Sequence, residues 1–170
     1  MTVVVRDATP DDAEAMGLIH VRAWQAAYRG AMPEAYLDGL DPAERAEIWR
    51  GSIARRPDNL PLVAVVDGVV VGQGADGPAI IVDGAGELYS LNVDPDHWGS
   101  GAGPALLAAV EGRLASDFAV AVLWVHPANA RARRFYEREG WSFDGAERTA
   151  DVLGVSVPEV RYRKALTAVG

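Results

Sequence analysis

The sequence predicts a mixed α/β fold: one mixed sheet with helices packed on it. Three observations carry that reading. Helical and strand-like periods are intermixed along the whole chain rather than segregated. Asp67-Gly68 divides two β-branched runs, a strong signal for a two-residue hairpin. A glycine-rich turn between residues 99 and 103 stands where a strand passes into a helix.

In chain order, residues 2–8 read as a valine-rich first strand. Thr9-Pro10-Asp11-Asp12 then opens a helix, with Thr9 as N-cap, Pro10 at the first helical position and acids in the first turn. It runs to about Arg29 and stops at Gly30, with Leu18, Ala23, Trp24, Ala27 and Tyr28 at roughly helical spacing. Asp41-Pro42-Ala43-Glu44 opens a second helix in a capping-box-like pattern, ending near Arg56, before Pro57. Residues 60–66 and 69–73 are the hairpin strands, and 87–93 a further strand. Residues 101–116 read as a helix with Leu106, Leu107, Val110 and Leu114 on one face. Residues 119–125 are continuously apolar, as a strand buried on both faces is. A short helix spans 129–139 and closes at Gly140. Strands at 141–143 and 157–165 complete the order βααβββαβαββ.

A chain of 170 residues fits a single domain, 1–170. Hydrophobic residues make up 49% and charged residues 24%, which supports a packed core and argues against global disorder. The absence of cysteine excludes disulfides, thiolate zinc sites and a cysteine nucleophile. Three scattered histidines with no helical HxxxH pair argue against a metal site. The net charge of -8 speaks against nucleic-acid binding, which needs a basic footprint. It suits a cationic acceptor such as an amine. Arg6 and Asp7 stand where a signal peptide would need an apolar run, and no stretch approaches the ~20 apolar residues of a membrane span. The expectation is a cytoplasmic protein without a membrane partner; a homodimer is left open.

The most informative stretch runs from Val93 to Pro104, Val-Asp-Pro-Asp-His-Trp-Gly-Ser-Gly-Ala-Gly-Pro. Small residues there let backbone N–H groups turn inward and form an anion nest at the positive end of a helix. Pro104 suits the first helical position, where an N–H has no use. A pyrophosphate is the natural guest. A Rossmann GxGxxG fails at Pro104 or at Leu106, depending on where it starts, and a P-loop lacks its Gly-Lys-Ser/Thr. A plain tight turn at a strand–helix junction is the remaining alternative.

These residues resemble the GNAT N-acetyltransferase superfamily. That family's signature is Gln/Arg-x-x-Gly-x-Gly/Ala between a strand and a helix. Gly101 and Gly103 match it, with Gly99 before them, while Trp98 stands where the family most often has glutamine or arginine. A second block, residues 125–141, is similar to the family's later motif: Asn129 opens a helix, and Phe135-Tyr136 precedes Gly140-Trp141. Trp24 to Tyr28 resembles a helix common in bacterial members.

The resemblance implies a mostly antiparallel sheet splayed into a V, with helices on both faces, and acetyl-CoA as co-substrate without a metal. The cofactor's pantetheine amides would meet the backbone of Leu91, Asn92 and Val93. Its pyrophosphate would sit on Trp98, Gly99, Ser100, Gly101, Ala102, Gly103 and Pro104. Asn129 would touch the arm from the other side. One or two of Arg131, Arg133, Arg134 and Arg138 would meet the 3′-phosphate, Arg134 being the one assigned.

Glu87, six residues before Val93, matches the base of some family members; a solvated strand-end glutamate is the plainer reading. Trp24 and Tyr28 share a helical face and would wall the acceptor site, against a reading of both as core. Tyr136 would give its proton to the leaving thiolate, while Phe135, about 100° away, packs into the core. His97 and His126 read as surface loop residues. The implied reaction is acetyl transfer from acetyl-CoA to a primary amine of a small molecule or peptide, by direct attack without an acyl-enzyme. The alternative is a non-catalytic acyl-CoA-binding sensor on the same fold.

Overall fold

The computed structural model describes residues 2–152 and 154–167. The elements are β1 (Val3–Asp7), α1 (Ala13–Tyr28), α2 (Glu34–Asp38), α3 (Pro42–Arg55), β2 (Leu62–Val66), β3 (Val69–Pro78), β4 (Gly86–Val93), α4 (Ala102–Leu114), β5 (Val120–Val125), α5 (Ala130–Arg138), β6 (Ser142–Val152) and β7 (Val155–Ala165). The seven strands form a mixed, mostly antiparallel sheet in the order β1-β2-β3-β4-β5-β7-β6. The β4–β5 pair is parallel, and β1–β2, β2–β3, β5–β7 and β6–β7 are antiparallel. No helix among the described residues is long and apolar enough to cross a membrane. Contacts divide the chain into two compact units, residues 1–76 with 90–111 and residues 77–89 with 112–170.

The first unit is organised by α1 and α3. Gly17 of α1 lies so close to α3 that a Cβ there would stand 2.5 Å from the Pro42 carbonyl oxygen and 2.6 Å from the Ala46 nitrogen. The neighbours are backbone, so they cannot rotate away. Gly17→Ala is therefore expected to force the two helices apart and to destabilise the fold by about 1–3 kcal/mol. Thermal denaturation that left the melting temperature unchanged would contradict that packing. At the start of α1, the Asp12 carboxylate accepts from the Thr9 N–H at 2.7 Å and from Arg6 through both oxygens, at 2.7 and 3.0 Å. Gly72 of β3 makes room for α4: a Cβ there would stand 2.9 Å from Leu106.

The second unit is built on β5, whose Ala121, Val122 and Leu123 are fully buried. Beside it, Tyr136, Trp141 and Tyr162 form an aromatic cluster with ring centroids 6.3 and 6.4 Å from Tyr136. The Tyr162 hydroxyl accepts from Arg133 Nε at 3.0 Å and donates to Glu137 at 2.8 Å.

The expected hairpin at Asp67-Gly68 is present, with φ of 50° and 80°. Five expectations need correction. Glu34–Asp38 forms an additional short helix, held to α1 where Gln25 donates to the Leu37 carbonyl at 3.0 Å. Pro10–Asp12 is a 3-10 turn, and the α-helix proper begins at Ala13. The strand expected to end at Gln73 continues to Pro78. The strand expected at 141–143 is eleven residues long, and its partner begins at Val155 instead of 157. It is largely exposed, so apolar content gives no signal; pairing with β7 sustains it, across an irregularity between Phe143 and Glu147. Finally, α4 begins at Ala102, which puts Pro104 third in the helix rather than first. That position still lies in the first turn, where a backbone N–H has no helical partner.

Candidate functional site

In the first unit the strand-to-helix turn is held by charge. Asp94 Oδ1 accepts from the Asp96 N–H at 2.9 Å, and Oδ2 accepts from Arg22 of α1 at 2.8 Å. The second Arg22 nitrogen reaches Asp96 at 2.9 Å. The Asp94 N–H donates to the Val71 carbonyl at 2.8 Å. Sequence reading missed Arg22 as an organiser of this turn; a lone arginine 72 residues away from Asp94 carries no local signal.

Beyond that anchor the backbone turns through two left-handed residues, Gly99 at φ 78° and Gly101 at φ 91°. A Cβ on Gly99 would meet nothing within 4 Å, and one on Gly101 only Val3 at 3.9 Å. Glycine is needed here for conformation, and the space where side chains would stand is open. The Gly101 carbonyl accepts from the Ala105 N–H at 3.1 Å, which makes Gly101 the cap of α4. Ser100 Oγ accepts from the Ala102 N–H at 3.3 Å. Left-handed residues at a helix N-terminus form a concavity of N–H groups at the positive end of the helix dipole. Ala102 is buried, Gly103 half-buried and Pro104 exposed.

Leu91, Asn92 and Val93 are half-buried at the end of β4. The Val93 carbonyl accepts from the Trp98 indole N–H at 2.9 Å, so the residue that departs from the family pattern ties the turn back to the strand. On α1, Trp24 is half-buried and stacks on His20 with centroids 4.9 Å apart; Tyr28 meets its other side edge-on at 5.1 Å. Burial pushes His20 down to about 4.

In the second unit Glu87 is only 4% exposed, which removes the reading of a solvated strand-end glutamate. Its Oε1 is buried with no hydrogen-bond partner among the described residues. Burial pushes the carboxyl above its ordinary value, with Glu159 adding to the rise; Arg148 and the Ile80 N–H oppose it. Asn129 caps α5, its Oδ1 accepting from the Ala132 N–H at 3.1 Å. Arg134 is exposed, while Arg133 is engaged with Tyr162 and with the Pro127 carbonyl.

Three residues stand differently from expectation. Tyr136 is buried at 8% and Phe135 only half-buried, the reverse of the expected order. The helical offset turns Tyr136, not Phe135, toward Trp141 and Tyr162. His126 is buried rather than a surface loop residue, and its Nδ1 accepts from the Ala128 N–H at 3.0 Å. That bond leaves the proton of the neutral ring on Nε2, and burial pushes the ring's pKa below its ordinary value.

The chain combines a mixed seven-stranded sheet with a left-handed glycine pair where β4 passes into α4. The chain belongs to the acetyltransferase (GNAT) family, whose model matches residues 21–141. It is an acyltransferase of the N-acetyltransferase type. Over 163 residues it is 28% identical to the "Probable N-acetyltransferase Rv2775" of Mycobacterium tuberculosis, covering 94% of this chain and 91% of that one. The fold is similar to that of the PaiA N-acetyltransferase from Thermoplasma acidophilum in complex with coenzyme A. There the TM-score is 0.74 at 22% identity, over 97% of this chain and 99% of that one. It is also similar to yncA from Salmonella typhimurium with its cofactor acetyl-CoA. In that case the TM-score is 0.68 at 22% identity, over 100% and 97% of the chains.

Proposed function

We propose that the chain transfers acetyl from acetyl-CoA to a primary amine of a small molecule or peptide, by direct attack. The observation that carries this is the left-handed pair Gly99 and Gly101 at the N-terminus of α4, with open space where side chains would stand. Open space beside backbone N–H groups at a helix N-terminus would suit a diphosphate, and side chains at these positions would stand in that space. Trp98 to Pro104 would hold the diphosphate. The backbone of Leu91, Asn92 and Val93, with Asn129, would hold the pantetheine amides, and exposed Arg134 would meet the 3′-phosphate. Bound acetyl-CoA supplies a thioester, more reactive toward nitrogen than an amide.

The chain's own groups have the remaining work. An alkyl ammonium of pKa about 10.4 costs about 4.6 kcal/mol to neutralise at pH 7. Glu87 would take that proton: a buried carboxylate with one unpartnered oxygen is a stronger base than a solvated one. Trp24 and Tyr28 would wall the acceptor, and Tyr136 would protonate the departing thiolate. With no cysteine in the chain, no thioester acyl-enzyme forms. The working location would be the cytoplasm.

The direct test is a screen of amines with acetyl-CoA that reads free thiol. Turnover is expected to rise with pH through the neutral range, and Glu87→Gln to flatten or lower that rise without changing acetyl-CoA affinity. An unchanged profile removes Glu87 as the base. A second readout is independent of turnover. Because the folded-state pKa is raised above its ordinary 4.5, the neutral carboxyl is the form that folding favours. Its contribution to stability is present below about pH 4.5 and is lost as pH rises through the folded value. Glu87→Gln is therefore expected to raise the melting temperature at neutral pH, with the gain disappearing in acid.

A further inference from the structure

The proposed base lies on a sheet face that carries an ion pair and an indole held together by the fold. Strand register defines that face. Cross-strand partners share a side, and so do residues two apart on one strand. Glu87 of β4 pairs with Val122 of β5, two residues before Trp124. Trp124 pairs with Arg161 of β7, two residues after Glu159, and Glu159 pairs with Arg148 of β6. Glu87, Trp124, Arg161, Glu159 and Arg148 therefore project from one face.

Their contacts agree with the register. Arg148 lies over the Trp124 ring, its Cζ 4.1 Å from the centroid, and Arg161 stands 5.6 Å from the same ring. Glu159 Oε1 accepts from Arg148 Nε and Nη2, both at 2.9 Å. Arg161 is engaged separately, its Nε donating to Asp144 at 2.6 Å. The pair is sheltered: the Arg148 side chain is 30% exposed and that of Glu159 15%. So Arg148 cannot swing toward solvent without leaving both the indole and its carboxylate.

We infer that Arg148 is a positioning residue for acetyl transfer: held by Glu159 and Trp124, it keeps the buried Glu87 carboxyl able to ionise. This rests on the reading of Glu87 as the base. Burial with an unpartnered oxygen disfavours the ionised carboxylate, and only the ionised form can accept the ammonium proton. Arg148 opposes the burial, and Glu159 works against Arg148 at Glu87 while holding it in place. The other charged or titratable groups on this face are Arg163, paired with Val122, Arg161 and the neutral His126, and the Ile80 N–H also favours the ionised form.

The two members of this ion pair thus act on Glu87 with opposite sign. Arg148→Met keeps the stem on Trp124 and removes the charge, so Glu87 should titrate at higher pH than in the wild type. Glu159→Gln is nearly isosteric and removes a like charge, so Glu87 should titrate at lower pH. A merely structural ion pair would give both variants the same direction, because each breaks the same contact. Arg148→Lys keeps the charge and is expected to return the titration toward the wild type. That variant also keeps the test open if Arg148→Met does not fold.

The measurement is carboxyl carbon-13 NMR of glutamate-labelled protein against pH, with Glu87→Gln assigning the resonance, alongside the pH profile of kcat/KM. Opposite shifts in both readouts support the inference. Opposite NMR shifts with an unmoved rate profile support the control of Glu87 by Arg148 and overturn Glu87 as the base. Shifts of the same sign, or none, overturn the inference and leave the acetyltransferase reading intact.

Discussion

Gly101→Val is expected to weaken acetyl-CoA binding at least ~10-fold, and more than its effect on the melting temperature would suggest. At φ 91° valine is a genuine outlier, so the variant cannot keep the native turn without strain of about 1–3 kcal/mol. The chain relieves that strain by rotating the peptide units around Gly101. Those units also present N–H groups at the N-terminus of α4, so relief and loss of the nest are one event. Fold stability is expected to suffer less, because a Cβ there is crowded only by Val3 at 3.9 Å. Gly103→Val tests the same surface differently. Gly103 lies inside the first turn of α4, so added bulk is expected to block close approach of the diphosphate without straining the turn. Calorimetry on both variants decides the matter. Native-like affinity in folded protein would end the phosphate-turn reading and leave a strand-to-helix turn with no ligand.

The turn was legible in sequence because its chemistry is local. Glycines at 99 and 101 need no distant partner to explain them; positive φ does. The same holds for the Asp67-Gly68 hairpin, for Asp41 capping α3 by accepting from Ala43, and for Asn129 capping α5. What stayed hidden depends on residues far apart in the chain. Glu87 reads as a strand-end carboxylate from its neighbours alone, and its burial comes from elements packed around it. Trp124, Arg148 and Glu159 sit on three different strands, so their shared face exists only once the β5–β7–β6 register is set. Gly17 looks like a weak point in a helical pattern until Ala46 is found against it. Gln73 is a similar case: it ends an apolar run, yet it is fully buried with both amide atoms unpartnered among the described residues. Asn129 and Gly140 marked the ends of α5, but the sequence reading turned Phe135 inward where the structure buries Tyr136. Only the placement of Trp141 and Tyr162 decides that.

Tyr136→Phe is expected to lower kcat at least ~10-fold, with little change in acetyl-CoA affinity or melting temperature. The ring is fixed by Phe135, Trp141 and Tyr162, at centroid distances of 5.2, 6.3 and 6.4 Å. Phenylalanine keeps every one of those contacts, so the substitution removes the hydroxyl and little else. Burial of the ring is compatible with a catalytic hydroxyl, because a ring that cannot turn aims its oxygen without further entropy loss. The proton transfer itself is modestly uphill. A thiol leaving group has a pKa near 8.5, by analogy with cysteine, against about 10 for tyrosine, a difference of about 2 kcal/mol. That is small beside the barrier of an ordinary enzymatic step. A hydrogen bond from the hydroxyl would also stabilise charge building on sulfur before the proton moves. The measurement is steady-state turnover of a good amine acceptor, with calorimetry as the control for cofactor binding. Wild-type turnover in Tyr136→Phe would make the residue a packing element of the aromatic cluster, and the thiolate would depart without its help. A fall in kcat with unchanged affinity would place the missing group in the transition state rather than in the ground-state complex.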